Sequence, residues 1–172
     1  MASKILLTGR PGVGKTTVVR KLVASGIPLA GGFLTDEIRE GRQRVGFRVR
    51  DLYSGKEGIL AHVRQHGPPS VGKYGVDVEC FERIGVAALR QAMDRQGCVV
   101  TDEVGKMELC STAFQEAVAA IVDSDHPLLA TIAMCRHPFL DALRARKDVT
   151  ITEVTRSNRD VLPGQLIGLL TP

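Results

Sequence analysis

Gly9-Arg10-Pro11-Gly12-Val13-Gly14-Lys15-Thr16 is the stretch whose reading decides the fold. It fits G-x-x-x-x-G-K-[ST], the phosphate-binding loop. Ile5-Leu6-Leu7 ahead of it is a short apolar run of strand type, and Val18, Val19, Leu22 and Val23 behind it recur at helical spacing. Glycines let backbone N–H groups turn inward, and the new helix presents unpaired amides and a positive dipole end to an anion. Lys15 is placed to reach the β- and γ-phosphates, and the Thr16 hydroxyl to ligate Mg²⁺. Thr17 continues the helix and joins the expected contacts. A glycine-rich turn that merely precedes a helix is the bland alternative, and eight constrained positions between a strand and a helix argue against it. The stretch predicts a site for a nucleoside triphosphate.

The second half of that site is expected at Val99-Val100-Thr101-Asp102-Glu103, a near-apolar strand ending in two adjacent carboxylates. Ligands in open α/β sheets sit beyond the carboxyl ends of the strands, the edge the phosphate loop occupies. Asp102 is assigned to Mg²⁺ beside Thr16. Glu103, on the opposite side of an alternating strand, is assigned as the base for a water aimed at the γ-phosphate. A second pair, Asp36-Glu37, ranks below it as a substrate or water contact. A glutamate directly after the metal aspartate is the order found in water-activating P-loop ATPases of the RecA and AAA type. The guanine-reading Asn-Lys-x-Asp motif is absent from the chain, against a switch GTPase.

Working outward, strands are expected over Lys4–Thr8, Gly31–Ile38, Arg44–Leu52, Glu57–Ala61, Cys98–Thr101, Pro127–Met134 and Val149–Val154. Helices are expected over Lys15–Ala24, from an Asp77 N-cap to about Arg95, Thr112–Val122 with a capping box over Thr112–Gln115, Pro138–Arg146 and Val161–Leu170. Alternating strands and helices give an α/β, three-layer P-loop domain of the RecA-like kind. Its mainly parallel sheet carries an inserted β-hairpin, and one domain spans residues 1–172. His62–Lys73 is an irregular polar loop, readable as a lid or as a connection.

In the hairpin's return strand, alternation sends Val45, Phe47 and Val49 one way and Arg44, Arg48 and Arg50 the other. That basic face is read as a solvated surface paired with Asp36, Glu37 and Glu40; an RNA or acidic-partner face is the competing reading. Arg136 falls where an arginine can meet the γ-phosphate, or where a strand simply ends in solvent. Thr131 or a neighbour is placed to help orient water. Asn158 and Arg159, after the last strand, are assigned to the base: one to its edge, the other to its face.

Hydrophobic content of 44% and a net charge of +4 over 172 residues suit a globular protein with an anionic ligand. The charge does not require nucleic acid, and a monomer is expected. Cys80, Cys98, Cys110 and Cys135 have no C-x-x-C pairing and read as free thiols of a reducing compartment. No signal peptide and no membrane-length apolar stretch is found, so a cytoplasmic protein is expected.

Taken together, these residues resemble a small nucleoside-triphosphatase family known from thermophilic bacteria and archaea and from animals, where it is called cancer-related nucleoside triphosphatase. The resemblance spans nearly the whole chain. It rests on Gly9–Thr17, the run Gly32 to Arg39, Gly46-Phe47-Arg48, Tyr74-Gly75-Val76-Asp77, the string Asp102-Glu103-Val104-Gly105-Lys106-Met107-Glu108-Leu109, His137-Pro138 and Asn158-Arg159-Asp160. The resemblance implies Mg²⁺-dependent hydrolysis of ATP, GTP and other triphosphates to diphosphate and phosphate, with little base selectivity. It also places Val104, Gly105 and Lys106 beside the nucleotide. The family's connection after Ala133-Met134-Cys135-Arg136 is usually longer and more basic, so the resemblance gives Arg136 no role. A nucleotide or nucleoside kinase, or an RNA-linked regulatory module, are the other readings of the same residues.

Overall fold

The computed structural model describes residues 1–171. Its strands are β1 (Lys4–Thr8), β2 (Leu29–Glu40), β3 (Gln43–Asp51), β4 (Glu57–His62), β5 (Ser70–Val71), β6 (Tyr74–Val76), β7 (Cys98–Val104), β8 (Leu128–Ile132) and β9 (Thr150–Glu153). Its α-helices are α1 (Lys15–Ala24), α2 (Val78–Phe81), α3 (Ala87–Ala92), α4 (Thr112–Asp123), α5 (Pro138–Ala145) and α6 (Leu162–Leu170). All the strands join one sheet in the order β5-β6-β4-β3-β2-β7-β8-β1-β9.

The segment from β2 through β7, β8 and β1 to β9 is parallel. Such strands must be covered on both faces, and their alternation divides the core accordingly. Leu6 joins one apolar cluster with Phe33, Phe81, Phe114 and Ile121. Ile5 and Leu7, its neighbours on β1, join another with Val18, Leu22 and Leu166. Helices α1 and α6 therefore cover one face, and α2 to α5 the other. The expected three layers are present, with β8 lying between the loop-bearing strand β1 and the acid-bearing strand β7.

Beyond β2 the sheet turns antiparallel through β3, β4, β6 and β5. The expected hairpin is thus the start of a larger extension of the same sheet. His62–Lys73 is not wholly a loop: Ser70 and Val71 form β5 and pair with Gly75 and Tyr74 of β6. Two-residue strands carry too little alternation to be read from sequence.

The helix expected from Asp77 to Arg95 starts as foreseen, the Asp77 side chain accepting from Cys80 N at 2.9 Å. It then passes through a π-helical turn at Glu82–Val86 and ends at Ala92. A Cβ on Gly85 would come within 2.6 Å of the Phe81 ring, so the missing side chain lets that ring sit against the helix. Glu82 meanwhile accepts from the Ser111 hydroxyl at 2.6 Å. Ser111, not Thr112, caps α4, accepting from Phe114 N at 3.0 Å; Thr112 is already helical, and with Phe114 at the third helical position the expected capping box does not form, Gln115 donating to Leu109 O instead.

One buried cation ties β1 to the helix layer. Lys4, 5% exposed, donates from Nζ to Ile121 O at 2.9 Å and Ser124 O at 2.7 Å, and also to His126 O. Ile121 and Ser124 end α4, where carbonyls lack helical partners and a positive charge is favoured. Burial lowers the Lys4 pKa, while Asp125 and Asp148 oppose the shift. Lys4→Met keeps the stem but strands three carbonyls, and urea unfolding should show a loss of about 1–3 kcal/mol.

Candidate functional site

The phosphate loop joins the end of β1 to α1. Gly9, Gly12 and Gly14 all have positive φ, at 149°, 76° and 115°. At Gly9 a Cβ would also lie 2.7 Å from Val154 O, so only glycine fits against the end of β9. Lys15 Nζ donates to Gly9 O at 2.8 Å and Arg10 O at 3.3 Å, which holds the ammonium over the loop's mouth. Thr16 lies in the first turn of α1 beside it, while Arg10, Pro11, Gly12 and Thr17 are exposed.

Asp102 and Glu103 end β7 as expected but do not point to opposite sides. The pairing with β8 jumps from Thr101↔Ala130 to Val104↔Ile132, so Asp102 and Glu103 together face Thr131 alone. This bulge overrides alternation and turns both carboxylates toward one cavity, which Thr16 also lines. Asp102 is 2% exposed. Its Oδ1 accepts from the buried Thr131 hydroxyl at 2.6 Å, and its Oδ2 is buried without a hydrogen-bond partner. Burial pushes the Asp102 pKa up; the Thr131 and Thr16 side chains, Arg20 and Lys15 pull it down. Burial, and then the Asp102 charge, likewise raise Glu103. An orphaned carboxylate oxygen next to a threonine hydroxyl has the chemistry of a site for a hard cation. Thr16 and Asp102 thus fit the expected ion.

A third carboxylate shares the cavity. Glu108, 4% exposed, begins a 3₁₀ turn at Glu108–Cys110. A Cβ on Gly105 would lie 2.6 Å from Glu103 Oε1 and 3.0 Å from Glu108 Oε2, so the two acids flank one glycine. Burial and the Glu103 charge drive the Glu108 pKa well above the ordinary range. Sequence reasoning gave Glu108 no role: a single acid in a turn carries no periodic signal. Of the neighbouring expected contacts, Lys106 lines the cavity, whereas the Val104 side chain is buried in the core.

Asp36 and Glu37, on β2, line the same cavity, and both are engaged. Asp36 pairs with Arg20 of α1. Glu37 accepts from Arg39 at 2.6 Å and from Arg44 at 3.1 Å. Arg44 does not share a face with Arg48 and Arg50. A bulge skips Val45 between the pairs Ile38↔Gly46 and Arg39↔Arg44, turning Arg44 to the side of Phe47, whose ring lies 5.1 Å from its guanidinium. Arg48 pairs instead with Glu57 at 3.4 Å, and Glu40 with Arg64 at 2.8 Å. The expected block of three arginines is therefore divided between two faces.

After β9, Arg159 packs on the phosphate loop: its Cδ lies 3.3 Å from the place of a Gly14 Cβ, and it donates to Val13 O at 3.2 Å. Asn158 uses both ends of its amide locally, accepting from Thr155 N and donating to Glu153 O, each at 2.8 Å. Its side chain shapes the turn that presents Arg159. Arg136 is exposed and does not line the cavity; Ala133, Met134 and Cys135 before it do.

A family model described as NTPase matches residues 4–167. A nucleoside-triphosphatase THEP1 of Thermofilum pendens is 50% identical, with 96% of this chain and 93% of that protein covered. Among solved structures, the crystal structure of THEP1 from the hyperthermophile Aquifex aeolicus superposes with a TM-score of 0.87 at 36% identity, covering 98% of this chain and 99% of the other. The solution structure of a human cancer-related nucleoside triphosphatase does so with a TM-score of 0.80 at 38% identity, covering 97% and 96%. With the loop, the acid pair and the sheet order in place, these matches show that the chain belongs to the NTPase family.

Proposed function

We propose that this protein is a Mg²⁺-dependent nucleoside triphosphatase that cleaves the β–γ phosphoanhydride of ATP, GTP and related triphosphates, giving diphosphate and phosphate. The observation that carries the reading is the convergence of Thr16, Asp102 and Glu103 on one cavity at the mouth of the phosphate loop. The names of the relatives support its coarser part, the hydrolysis of nucleoside triphosphates.

In this reading the loop amides from Gly9 to Thr16 cradle the phosphates, and Lys15 swings from the loop carbonyls to the β- and γ-oxygens. Thr16 and Asp102 would hold the ion, Asp102 having one carboxylate oxygen that Thr131 leaves without a partner. The ion, held there, would supply neutralisation of the charge that develops on the triphosphate. Glu103 accepts a proton from a water held in line with the leaving oxygen. Arg159 lies against the loop and stacks on the base. A single flat contact reads no hydrogen-bonding edge, which supports broad base acceptance. The expected single domain over residues 1–172, a monomeric state and a cytoplasmic location complete the proposal; among the described residues, no helix is long and apolar enough to cross a membrane.

Phosphate release should be seen with ATP, GTP, CTP and UTP, and chelation of Mg²⁺ should abolish it. Glu103→Gln should retain triphosphate binding while kcat falls at least about 10²-fold, the scale of a lost general base; wild-type turnover in that variant would remove Glu103 from the mechanism. Asp102→Asn should raise the Mg²⁺ concentration for half-maximal turnover roughly 10-fold or more, by analogy with other disturbed metal sites. Gly105→Ala places a methyl against Glu103, and kcat should fall about 10²-fold, the cost of misplacing a reacting group by about 1 Å. Circular dichroism melting of that variant separates misplacement from unfolding.

A further inference from the structure

Lys15, Thr16, Asp102 and Glu103 account for triphosphate hydrolysis and leave one acid of the cavity without a task. Glu108 is 4% exposed and borders the same cavity as Glu103. The turn that carries it is tied down. Leu109 N donates to Gly105 O at 2.9 Å, Ser111 N to Glu108 O at 3.0 Å, and the Gln115 amide to Leu109 O at 3.0 Å, while Leu109 is buried in the core. The Glu108 side chain is therefore held against the acid pair. Its companion is Glu103. The place a Gly105 Cβ would take lies 2.6 Å from Glu103 Oε1 and 3.0 Å from Glu108 Oε2, so the two carboxyls come together over the bare face of that glycine.

Two carboxylates brought together away from water cannot both carry a full charge without a large cost. The charges that act most on Glu108 are those of Glu103 and Asp102, both negative. Among the described residues no lysine or arginine pairs with it. The backbone amides of Glu108 and Gly105 favour its ionised form, and burial outweighs them. The proton therefore belongs on Glu108. Glu103 has the opposite need. Asp102 is held by the Thr131 hydroxyl, whereas no amide or hydroxyl donates to the Glu103 carboxyl. A base must keep one orientation to take a proton from a water held in line. A protonated carboxyl is a donor as well as an acceptor, and it can supply the bond that Glu103 lacks.

We propose that Glu108 is a positioning residue for this reaction: it stays a carboxylic acid and turns its O–H toward Glu103 Oε1 over Gly105, so that the charge of the pair rests on Glu103 and its other oxygen is directed at the attacking water. The proton of Glu108 is not transferred. The water's proton goes to Glu103, and Glu108 fixes the carboxylate that receives it. Gly105 is required because any side chain there would part the two acids. The inference rests on Glu103 as the base of the proposed hydrolysis.

The test uses the full chain with Mg²⁺ and ATP and variants matched in shape. Glu108→Leu removes the donor, and kcat should fall about 10- to 100-fold, the scale on which loss of an orienting outer partner is felt, while KM for ATP stays near its wild-type value. Glu108→Gln puts a neutral donor in the same place and should restore most of that turnover; a loss as large as leucine's overturns the proposal. Because Glu108 acts through Glu103, Glu108→Leu should cost little further turnover in a Glu103→Gln background. The same fold loss there as in the wild type shows an independent role and overturns it. Infrared difference spectra of the wild type against Glu108→Gln at neutral pH read the proton without turnover. The wild type should show the carbonyl stretch of a protonated carboxyl that the variant lacks; its absence overturns the proposal even where Glu108→Leu does not fold. Wild-type turnover of Glu103→Gln is a separate failure, that of the base assignment, and overturns both.

Discussion

One hydroxyl governs the geometry of the site. Thr131, on the strand between β1 and β7, donates across the sheet to Asp102 and fixes one carboxylate oxygen while the other stays unpartnered. An unsatisfied buried carboxylate is costly in a folded protein, so a partner supplied at that oxygen is strongly favoured. The bond sits where two residues of β7 oppose one of β8. The same local irregularity therefore buries Asp102, brings Glu103 round to its side, and sets both near the first turn of α1.

Around that point the molecule concentrates acids that repel one another and are kept from water. Burial, and then the Asp102 charge, raise the pKa of Glu103; burial, and then the Glu103 charge, raise that of Glu108. Gly105 permits this crowding because it has no side chain to place between the last two. Such a cluster stores electrostatic energy that a cation or a proton relieves, which is how sites running acid–base chemistry differ from ordinary surface carboxylates. The scaffold beneath is apolar on both faces of the sheet, and α4 is tied to β1 by Lys4. Rigid layers of this kind hold catalytic groups better than loops do.

The antiparallel extension serves the site from the other side. β2 carries Asp36 and Glu37 to the cavity, β3 carries Arg44 and Phe47, and β4 and β5 add Leu60 and Val71. A bulge again decides what faces inward. Skipping Val45 turns Arg44 from the Arg48 side to the Phe47 side, where Glu37 and Tyr74 hold it. Surface ion pairs of this sort contribute little to stability. Their effect here is to hold Asp36, Glu37 and Arg44 in place along the wall of the pocket.

The amino-acid sequence by itself determined the phosphate loop, the strand ending in Asp102-Glu103, the three-layer α/β class and most element positions. Each of these is written locally, in glycine spacing, apolar runs and caps such as Asp77. Tertiary structure alone decided the facing of Glu103 and Arg44, because a bulge inserts one residue and reverses the alternation on which sequence reading depends. It alone recruited Glu108 and Thr131 to Asp102 and Glu103, engaged the Asn158 amide in a turn, and opened the cavity against the sheet extension. Those outcomes depend on contacts between segments far apart in the chain, and no window of sequence contains both partners.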